Sequence, residues 1–271
     1  MDRVKKIIHT DYAYRSGLSG QNITVAVMDT GIVPHPDFED RIIYFKDFCN
    51  GRNEMYDDNG HGTHVSGIIA GNGKMSEQYV KGTAHNVRRY SGVAPKCRII
   101  MLKVLDENGN GNTKKVLDAV NWVKANRKLH HIRILNISVG MLPGAGLEEQ
   151  RKLLHAIDEL WDEGIMVVAA AGNNGPKENT VTIPGISRKV LTVGSSDDDT
   201  SDHGRKVLKT GYSGRGPTAC CIVKPEILAP GTGITSCSRD AMGYQVKSGT
   251  SMAAPVVSGA LALAFEKYPS F

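Results

Sequence analysis

The sequence predicts an α/β fold in three layers, with a mainly parallel central sheet and helices on both of its faces. Two observations carry this prediction: short apolar runs rich in β-branched residues, and helical patterns between them. Continuous apolar runs of this length are typical of strands that are buried on both faces, as in a parallel sheet. Strands that alternate with helices indicate right-handed crossovers within one such sheet.

Five strands are predicted in chain order, each from one apolar run. They cover residues 23–28, 99–105, 132–139, 165–171 and 190–193. Parallel strands all end at the same edge of their sheet, and functional groups of α/β proteins gather at the carboxyl ends of the strands. The residues that follow each run are therefore the first candidates for a functional site.

Two amphipathic helices are predicted between these strands. The first follows Asn112, a favourable N-cap. Its apolar face is formed by residues at helical spacing, Val116, Leu117, Val120 and Val123. The second helix shows the same pattern in Leu153, Leu154, Ile157, Leu160 and Trp161. Gly164 is a suitable end for it, because glycine readily adopts the left-handed conformation found after many helices.

Length and charge exclude several classes of protein. The 271 residues contain no internal repeat and no low-complexity linker, so residues 1–271 are predicted to form one domain. A net charge of +5 without a long basic run does not favour a nucleic-acid binder. No apolar run reaches the about 18 residues that span a membrane, so no membrane partner is predicted.

The cysteines and the first residues predict a cytoplasmic location. The five cysteines are an odd number and form no C-x-x-C pair, which favours free thiols in a reducing compartment. Residues 1–6 are charged and do not lead into the apolar stretch of a secretory signal. A secreted protein whose signal had been trimmed would begin in the same way.

Three segments carry side chains suited to catalysis. Asp29 stands at the tip of the first predicted strand. His61 opens a helix of small residues and is flanked by glycines. Ser251 lies at the start of another such helix, whose N-terminal amides and dipole favour negative charge. A nucleophilic serine needs a base to take its proton, and the base needs a carboxylate that fixes its tautomer, so the three residues together predict such a site.

The second segment leaves another hypothesis open. His64 follows His61 at a spacing of three, so Asp29, His61 and His64 are also candidates for the metal site of a metal-dependent hydrolase. A buried, hydrogen-bonded His64 is the preferred interpretation, and no metal site is predicted.

The joint pattern resembles the subtilisin-like serine proteases, the subtilase family. The resemblance is carried by D-T-G at Asp29, H-G-T-H at His61 and G-T-S-M-A-x-P at Ser251, and it extends over about residues 15 to 268. Blocks at residues 138–140, 170–173, 212–217 and 224–231 agree with it. The order Asp, His, Ser along the chain is the order found in subtilisins.

The resemblance implies a subtilisin-like fold and a serine endopeptidase. Ser251 would attack the peptide carbonyl, and His61 would act first as general base and then as general acid. Asp29 would orient His61. The Asn173 side chain and the Ser251 amide would hold the oxyanion. This chemistry requires no cofactor.

The resemblance also implies a cleft for an extended polypeptide. The substrate backbone would pair with two edges, Gly109-Asn110-Gly111 and Ser138-Val139-Gly140. One wall of the specificity pocket would consist of small residues that admit a large apolar side chain, Ala170, Ala171 and Gly172. Thr182 would lie at the base of this pocket.

The sequence departs from the family pattern at its end and in one loop. Only 20 of the 271 residues follow Ser251, which predicts a shortened C-terminal part, exposed apolar surface and self-association. The start and the free cysteines resemble the intracellular bacterial branch of the family. Structural calcium is compatible with the resemblance, and Asp37 resembles one ligand position. Calcium is not predicted, because a different stretch, residues 72–92, replaces the loop that completes the site.

A non-catalytic binding or regulatory protein on the same scaffold is the alternative function. The presence of Asp29, His61, Ser251 and Asn173 argues against it. The short C-terminal part argues for it.

Overall fold

A computed structural model describes residues 1–79, 89–144, 147–198, 211–240 and 242–270. In this part of the chain one parallel sheet contains β1 (Thr24–Asp29), β2 (Ile42–Asp47), β3 (Arg98–Lys103), β4 (Ile132–Ile137), β5 (Met166–Ala170), β6 (Leu191–Ser195) and β7 (Ile227–Ala229). The order across the sheet is β2-β3-β1-β4-β5-β6-β7, which places β1 between β3 and β4. A separate antiparallel hairpin consists of β8 (Ile234–Cys237) and β9 (Tyr244–Lys247).

The helices of the described ranges are α1 (Asp2–Ile7), α2 (Thr10–Arg15), α3 (His61–Ala70), α4 (Thr113–Asn126), α5 (Leu147–Asp162) and α6 (Thr250–Lys267). A short 3₁₀ helix covers Lys74–Tyr79. None of these helices is both long enough and apolar enough to cross a membrane.

The sheet separates two apolar cores. Along β1, Val25 and Val27 belong to the core that contains side chains of α3 and α6, whereas Ala26 and Met28 belong to the core that contains side chains of α4 and α5. This alternation is the period of two expected of a strand. Helices therefore cover both faces, and the predicted three-layer α/β fold with a parallel sheet is confirmed.

All five predicted strands are present, with starts that differ from the predictions by no more than one residue. β2 and β7 were not predicted, because neither is a continuous buried run. They form the two edges of the sheet, where β2 is mostly half-buried and two of the three residues of β7 are exposed. α1 and α2 have six residues each, which is too short for a helical period to show in the sequence.

The two predicted amphipathic helices are α4 and α5. The side chain of Asn112 accepts a hydrogen bond from Lys115 N at 2.9 Å and caps α4, as predicted. Gly164, just beyond α5, has a φ of +82°, in the left-handed region that favours glycine. The other two predicted helices, α3 and α6, begin at the segments that carry His61 and Ser251.

Candidate active site

The carboxyl end of β1 is the centre of the candidate site. Asp29 is the last residue of this strand and pairs in register with Lys103 of β3. The Asp29 side chain is fully buried, and Oδ1 accepts hydrogen bonds from Thr30 N at 2.8 Å and from His61 Nδ1 at 2.7 Å. An ionised carboxylate only accepts hydrogen bonds, so Nδ1 carries the proton in this pair.

Opposing effects set the charge of His61. Burial lowers the pKa of its imidazole, but the charge and the hydrogen bond of Asp29 raise it, and the net shift is upward. The side chain of His61 keeps 23 % of its surface exposed and lines a cavity. An imidazole held in one tautomer by a carboxylate is suited to act as a general base.

A second carboxylate fixes the start of α3 to the tip of β1. Asp57 is buried and accepts hydrogen bonds from Thr30 Oγ1 at 2.8 Å, Gly60 N at 2.7 Å and Thr63 Oγ1 at 2.7 Å. Thr30 Oγ1 in turn accepts a hydrogen bond from Gly62 N at 2.9 Å. Sequence reasoning missed Asp57 and Thr30, although both lie within four residues of a predicted catalytic side chain.

Lys103 ties three segments of the site together. It is fully buried, and its ammonium group donates to Thr30 O at 2.6 Å, Asp58 Oδ1 at 2.7 Å and Leu105 O at 2.8 Å. These three bonds use all the donors of a lysine. Lys103 interrupts the apolar run predicted as the strand 99–105, but the sequence does not show which groups its ammonium group binds.

Ser251 lies in the first turn of α6, a helix of 18 residues. Its hydroxyl donates to Ser138 O at 2.8 Å, and no hydrogen bond joins it to His61 in the described residues. Ser251 and His61 nevertheless line the same cavity of about 370 Å³. Catalytic hydrogen bonds are often absent from ligand-free sites and form only with substrate, so this rotamer is compatible with a nucleophile and base.

Thr250 orients the predicted oxyanion residue, Asn173. The backbone N and the Oγ1 of Thr250 donate to Asn173 Oδ1 at 3.0 and 3.1 Å, and Thr250 Oγ1 accepts from Gly172 N at 3.1 Å. Because Oδ1 is engaged, the Nδ2 group of Asn173 remains as a donor at the cavity that Asn173 lines. The N–H of Ser251 has no acceptor within its helix, as is usual in a first helical turn.

Comparison with known proteins identifies the family of this site. The model of the subtilase family, Peptidase S8, matches residues 20–271. The chain belongs to the subtilase family. It is 38 % identical over 291 residues to the serine protease AprX of Bacillus subtilis, a match that covers 99 % of this chain and 63 % of AprX. It is 31 % identical to subtilisin DY of Bacillus licheniformis, a match that covers 97 % of this chain and 84 % of that protein.

Solved structures of subtilases share the fold. Sphericase matches with a TM-score of 0.76 at 28 % identity, over 93 % of this chain and 80 % of that one. A cold adapted subtilisin-like serine proteinase matches with a TM-score of 0.69 at 30 % identity, over 92 % of this chain and 77 % of that one. The match covers more than three quarters of each of these two solved chains, whereas this chain spans less than two thirds of the length of AprX.

Most of the residues predicted to bind substrate surround the Ser251 cavity of this subtilase. It is lined by Gly109, Ser138, Val139, Gly140, Ala170, Gly172 and Thr182. Asn110 and Gly111 line an adjoining cavity of about 200 Å³, together with apolar side chains. Ala171 lines neither cavity. It is fully buried and its N–H donates to Val193 O at 2.9 Å, because it continues the pairing of β5 with β6.

Thr182 lies between the two glycines of the specificity pocket. A Cβ on Gly140 would lie 2.3 Å from Thr182 Oγ1, and a Cβ on Gly172 would lie 2.6 Å from Thr182 Cγ2. Thr182 is 3 % exposed, and its hydroxyl has no hydrogen-bond partner in the described residues. Its side chain therefore occupies the space between Gly140 and Gly172 at the cavity that Ser251 lines, where the base of the pocket is predicted.

His64 has the structural role that was the preferred interpretation. It is fully buried, and Nε2 donates to Ile234 O at 3.0 Å and to Gln245 O at 3.1 Å. Burial, together with the nearby charges of Lys247 and His61, lowers the pKa of His64 to about 3. His64 is therefore neutral, and it holds α3 to the β8–β9 hairpin.

The Asp37 carboxylate, which resembles a calcium ligand of the family, is engaged by protein groups. Oδ1 accepts a hydrogen bond from Met75 N at 2.9 Å, and Oδ2 accepts one from the Tyr244 hydroxyl at 2.7 Å. Of the substituted stretch 72–92, residues 80–88 lie outside the described residues.

Asp37 also belongs to a buried cluster with His35 and Cys237, the one group of potential metal ligands found within the described ranges. Calcium prefers oxygen ligands, so an imidazole and a thiol suit it poorly. Both ring nitrogens of His35 are already engaged, by Asp37 N at 3.1 Å and Gly243 O at 3.0 Å. The residues of this cluster therefore do not fit a calcium ion.

Proposed function

We propose that this subtilase chain is a serine endopeptidase that works through Asp29, His61 and Ser251. The proposal rests chiefly on the 2.7 Å hydrogen bond between Asp29 and His61, at the wall of the cavity that Ser251 also lines. A carboxylate, an imidazole and a hydroxyl arranged in this order are the parts of a nucleophilic serine site. The relatives support the same activity here, because AprX is described as a serine protease and subtilisin DY as a subtilisin.

Acylation begins when the Ser251 hydroxyl leaves Ser138 O and turns toward His61. Ser251 Oγ bonds to the peptide carbonyl carbon while His61 Nε2 takes its proton, and an electron pair of the carbonyl moves to the oxygen. Asp29 holds Nδ1–H and stabilises the imidazolium. The Ser251 amide and Asn173 Nδ2 donate to the oxyanion.

Collapse of the tetrahedral intermediate breaks the C–N bond and leaves an ester on Ser251. His61 gives its proton to the departing amine, so that the proton taken from the serine leaves with the amine. Water then attacks the ester with His61 again as base, and Ser251 regains a proton as the carboxylic acid departs. Every proton transfer in this cycle passes through one imidazole.

The substrates that we propose are polypeptides bound in extended form. Their backbone would pair with the edges at 109–111 and 138–140, as an added β-strand. Val139 and Ala170 favour an apolar side chain at the cleaved position. The resemblance implies a large apolar side chain there, but because Thr182 occupies the space between Gly140 and Gly172, we propose an apolar side chain of medium size instead.

A serine-directed phosphonyl reagent tests the nucleophile. We expect mass spectrometry to find one adduct, on the peptide that contains Ser251, and no adduct in Ser251→Ala. Peptide cleavage should disappear in the same variant, while circular dichroism shows an unchanged fold. A wild-type chain that takes up no reagent and leaves peptides intact would refute the proposal and favour the non-catalytic binding role. Cleavage that persists in Ser251→Ala would assign the nucleophile to another residue.

A further inference from the structure

The β8–β9 hairpin is fixed to the start of α3, where His61 stands. Gln245 Nε2 donates to Gly60 O at 3.2 Å, directly before His61. His64, about one turn further along α3, donates to backbone carbonyls of Ile234 and Gln245. Side chains on this side of the hairpin are therefore neighbours of the His61 imidazole.

Lys247, the last residue of β9, faces the start of α3. Side chains of a strand alternate between its two faces, so Lys247 lies on the same face as Gln245, whose side chain contacts Gly60. Lys247 is half-buried. Its ammonium group makes no hydrogen bond and no ion pair with the described residues.

The charge of Lys247 is only partly compensated by its surroundings. Burial lowers its pKa, the carboxylates of Asp57 and Asp29 raise it, Arg239 lowers it again, and the net shift is downward. The two carboxylates do not pair with the ammonium group, because Asp57 binds the start of α3 and Asp29 binds His61. An anionic ligand would supply the missing partner.

Arg239 adds a second positive charge beside Lys247. Its aliphatic carbons would lie 3.2 to 3.4 Å from a Cβ on Gly60, so the side chain covers the residue before His61. Its Nη1 donates to Asp58 O at 2.5 Å, a backbone carbonyl that leaves the charge unpaired. Within the described part of the chain, neither Arg239 nor Lys247 forms a salt bridge.

The two cations lie beside the start of α3 and outside the cavity that Ser251 and His61 line. The cavity that would hold the acyl part of a substrate is lined by no residue of the hairpin. The departing amine receives its proton from His61, so the substrate must continue past His61 beyond the scissile bond. The hairpin contacts Gly60, directly before His61, from outside that cavity, so the departing part of the substrate would pass along it.

We propose that Lys247 and Arg239 form a cationic subsite that selects Asp or Glu at the first or second residue after the scissile bond. The proposal rests on the endopeptidase function proposed above. Opposite charges a few ångströms apart at a partly solvated surface attract each other enough to change rates about five- to thirtyfold. We therefore expect kcat/KM to be higher by such a factor for a substrate with Glu than for one with Gln.

The test uses internally quenched peptides that share one sequence before the scissile bond and carry Glu, Gln or Lys at the first or the second position after it. For the wild-type chain we expect kcat/KM to be highest with Glu, lower with Gln and lowest with Lys. The preference for Glu should shrink as salt is added, because ions screen exposed charges. In Lys247→Met and Arg239→Gln the ratio of Glu to Gln should approach one. Lys247→Glu should reverse it.

Matched variants distinguish the effect of the lost positive charge from the effect of a damaged fold. Lys247→Arg keeps the charge and should keep the preference. Lys128→Met removes an exposed lysine in the turn after α4, on a surface that does not border the Ser251 cavity, and should leave the ratio unchanged. The ratio is read within one protein preparation, so a partly unfolded variant lowers both rates without changing it.

Equal cleavage of the Glu and Gln peptides by the wild-type chain would overturn the proposed subsite. So would a preference that survives in both Lys247→Met and Arg239→Gln. Either result leaves the endopeptidase function standing, because the Gln peptide is still cut. Failure of the function itself would show as no cleavage of any peptide and no labelling of Ser251.

Discussion

At the scale of single residues, the site depends on hydrogen bonds that fix which atom of a side chain faces the cavity. Asn173 shows this clearly, since Thr250 occupies its Oδ1 and leaves Nδ2 as the donor. The motif identifies Asn173, but the neighbouring threonine determines its orientation. The activity of the site is therefore expected to depend on pairs of side chains, such as Asn173 with Thr250.

Removal of the Asn173 amide should lower kcat with little change in KM. For Asn173→Ala we expect a loss of about 10² to 10³, the magnitude known for removal of one oxyanion donor from a subtilisin. Thr250→Val removes the hydroxyl that orients the amide and should cause a smaller loss of the same kind. Steady-state kinetics on one peptide measure both. A rise in KM with kcat unchanged would show that Asn173 contributes only to ground-state binding.

The charge of His61 should set the acidic limb of the pH–rate profile. A base must be neutral, and the pKa of His61 is raised above 6.5, so kcat/KM should rise with pH through this raised value. In Asp29→Asn the stabilising charge is lost while burial remains, so the limb should move to lower pH. The same variant should lose about 10⁴ in kcat, as in other triads. If the acidic limb does not move, the charge of Asp29 does not set the pKa of His61.

The floor of the specificity pocket should open when Thr182 is removed. In Thr182→Gly we expect the ratio of kcat/KM for a Phe peptide to that for an Ala peptide to rise about tenfold or more, because one or two methylene groups in such a pocket are worth about 10- to 200-fold. Thr182→Ser is the control, since it keeps the hydroxyl and loses only the methyl group. Unchanged selectivity in Thr182→Gly would show that the pocket is limited by another residue.

At the scale of elements, the site is a junction between the tip of β1 and the start of α3. Asp57, Thr30 and Lys103 bind these two segments through side chains, and Gly62 lets the backbones meet. A Cβ on Gly62 would lie 2.2 Å from Gly31 O. The distance between Asp29 and His61 thus depends on the contact between β1 and α3 as well as on the two side chains.

Gly62→Ala should separate α3 from β1. We expect a loss of about 1 to 3 kcal/mol in the free energy of unfolding, the usual cost of overpacking, together with a large loss of kcat. Gly144→Ala is the matched control, because an added Cβ there meets nothing within 4 Å. Urea unfolding in a Ser251→Ala background avoids self-digestion. If Gly62→Ala were as stable as the wild-type chain, the close contact between Gly62 and Gly31 would be contradicted.

At the scale of the whole molecule, buried neutral histidines make stability depend on pH. The pKa of His64 is about 3 in the fold, against an ordinary value of 6.5. The unfolded chain therefore binds more protons between these values, and the stability that His64 contributes is complete above pH 6.5 and is lost as the pH falls toward 3. The slope reaches about 1.4 kcal/mol per pH unit for one proton.

His64→Asn should flatten this acid dependence. Urea unfolding at several pH values between 6.5 and 4, again in the Ser251→Ala background, measures the free energy of unfolding for both chains. Burial also lowers the pKa of His35, which contributes in the same direction in both, so the difference between the two slopes isolates His64. Parallel slopes would show that His64 is accessible to protons without unfolding.

Much of the fold could be predicted because its signals are local. β1, β3, β4, β5 and β6 are buried runs, and α4 and α5 are amphipathic, so each element shows its burial in its own residues. The edge strands β2 and β7 could not be found, because β2 is mostly half-buried and two of the three residues of β7 are exposed. The single domain of residues 1–271 and its self-association stay predictions.

Apolar periodicity and the motifs around Asp29, His61, Asn173 and Ser251 are short-range patterns, so the fold class and the chemical groups of the site could be predicted from them. How these groups are held depends on contacts that form only in the folded chain. The hydroxyl of Ser251 rests on Ser138 O, and Thr182 closes the pocket floor between two glycines. Such contacts join residues far apart in the chain, and their energies depend on distances that no local pattern encodes.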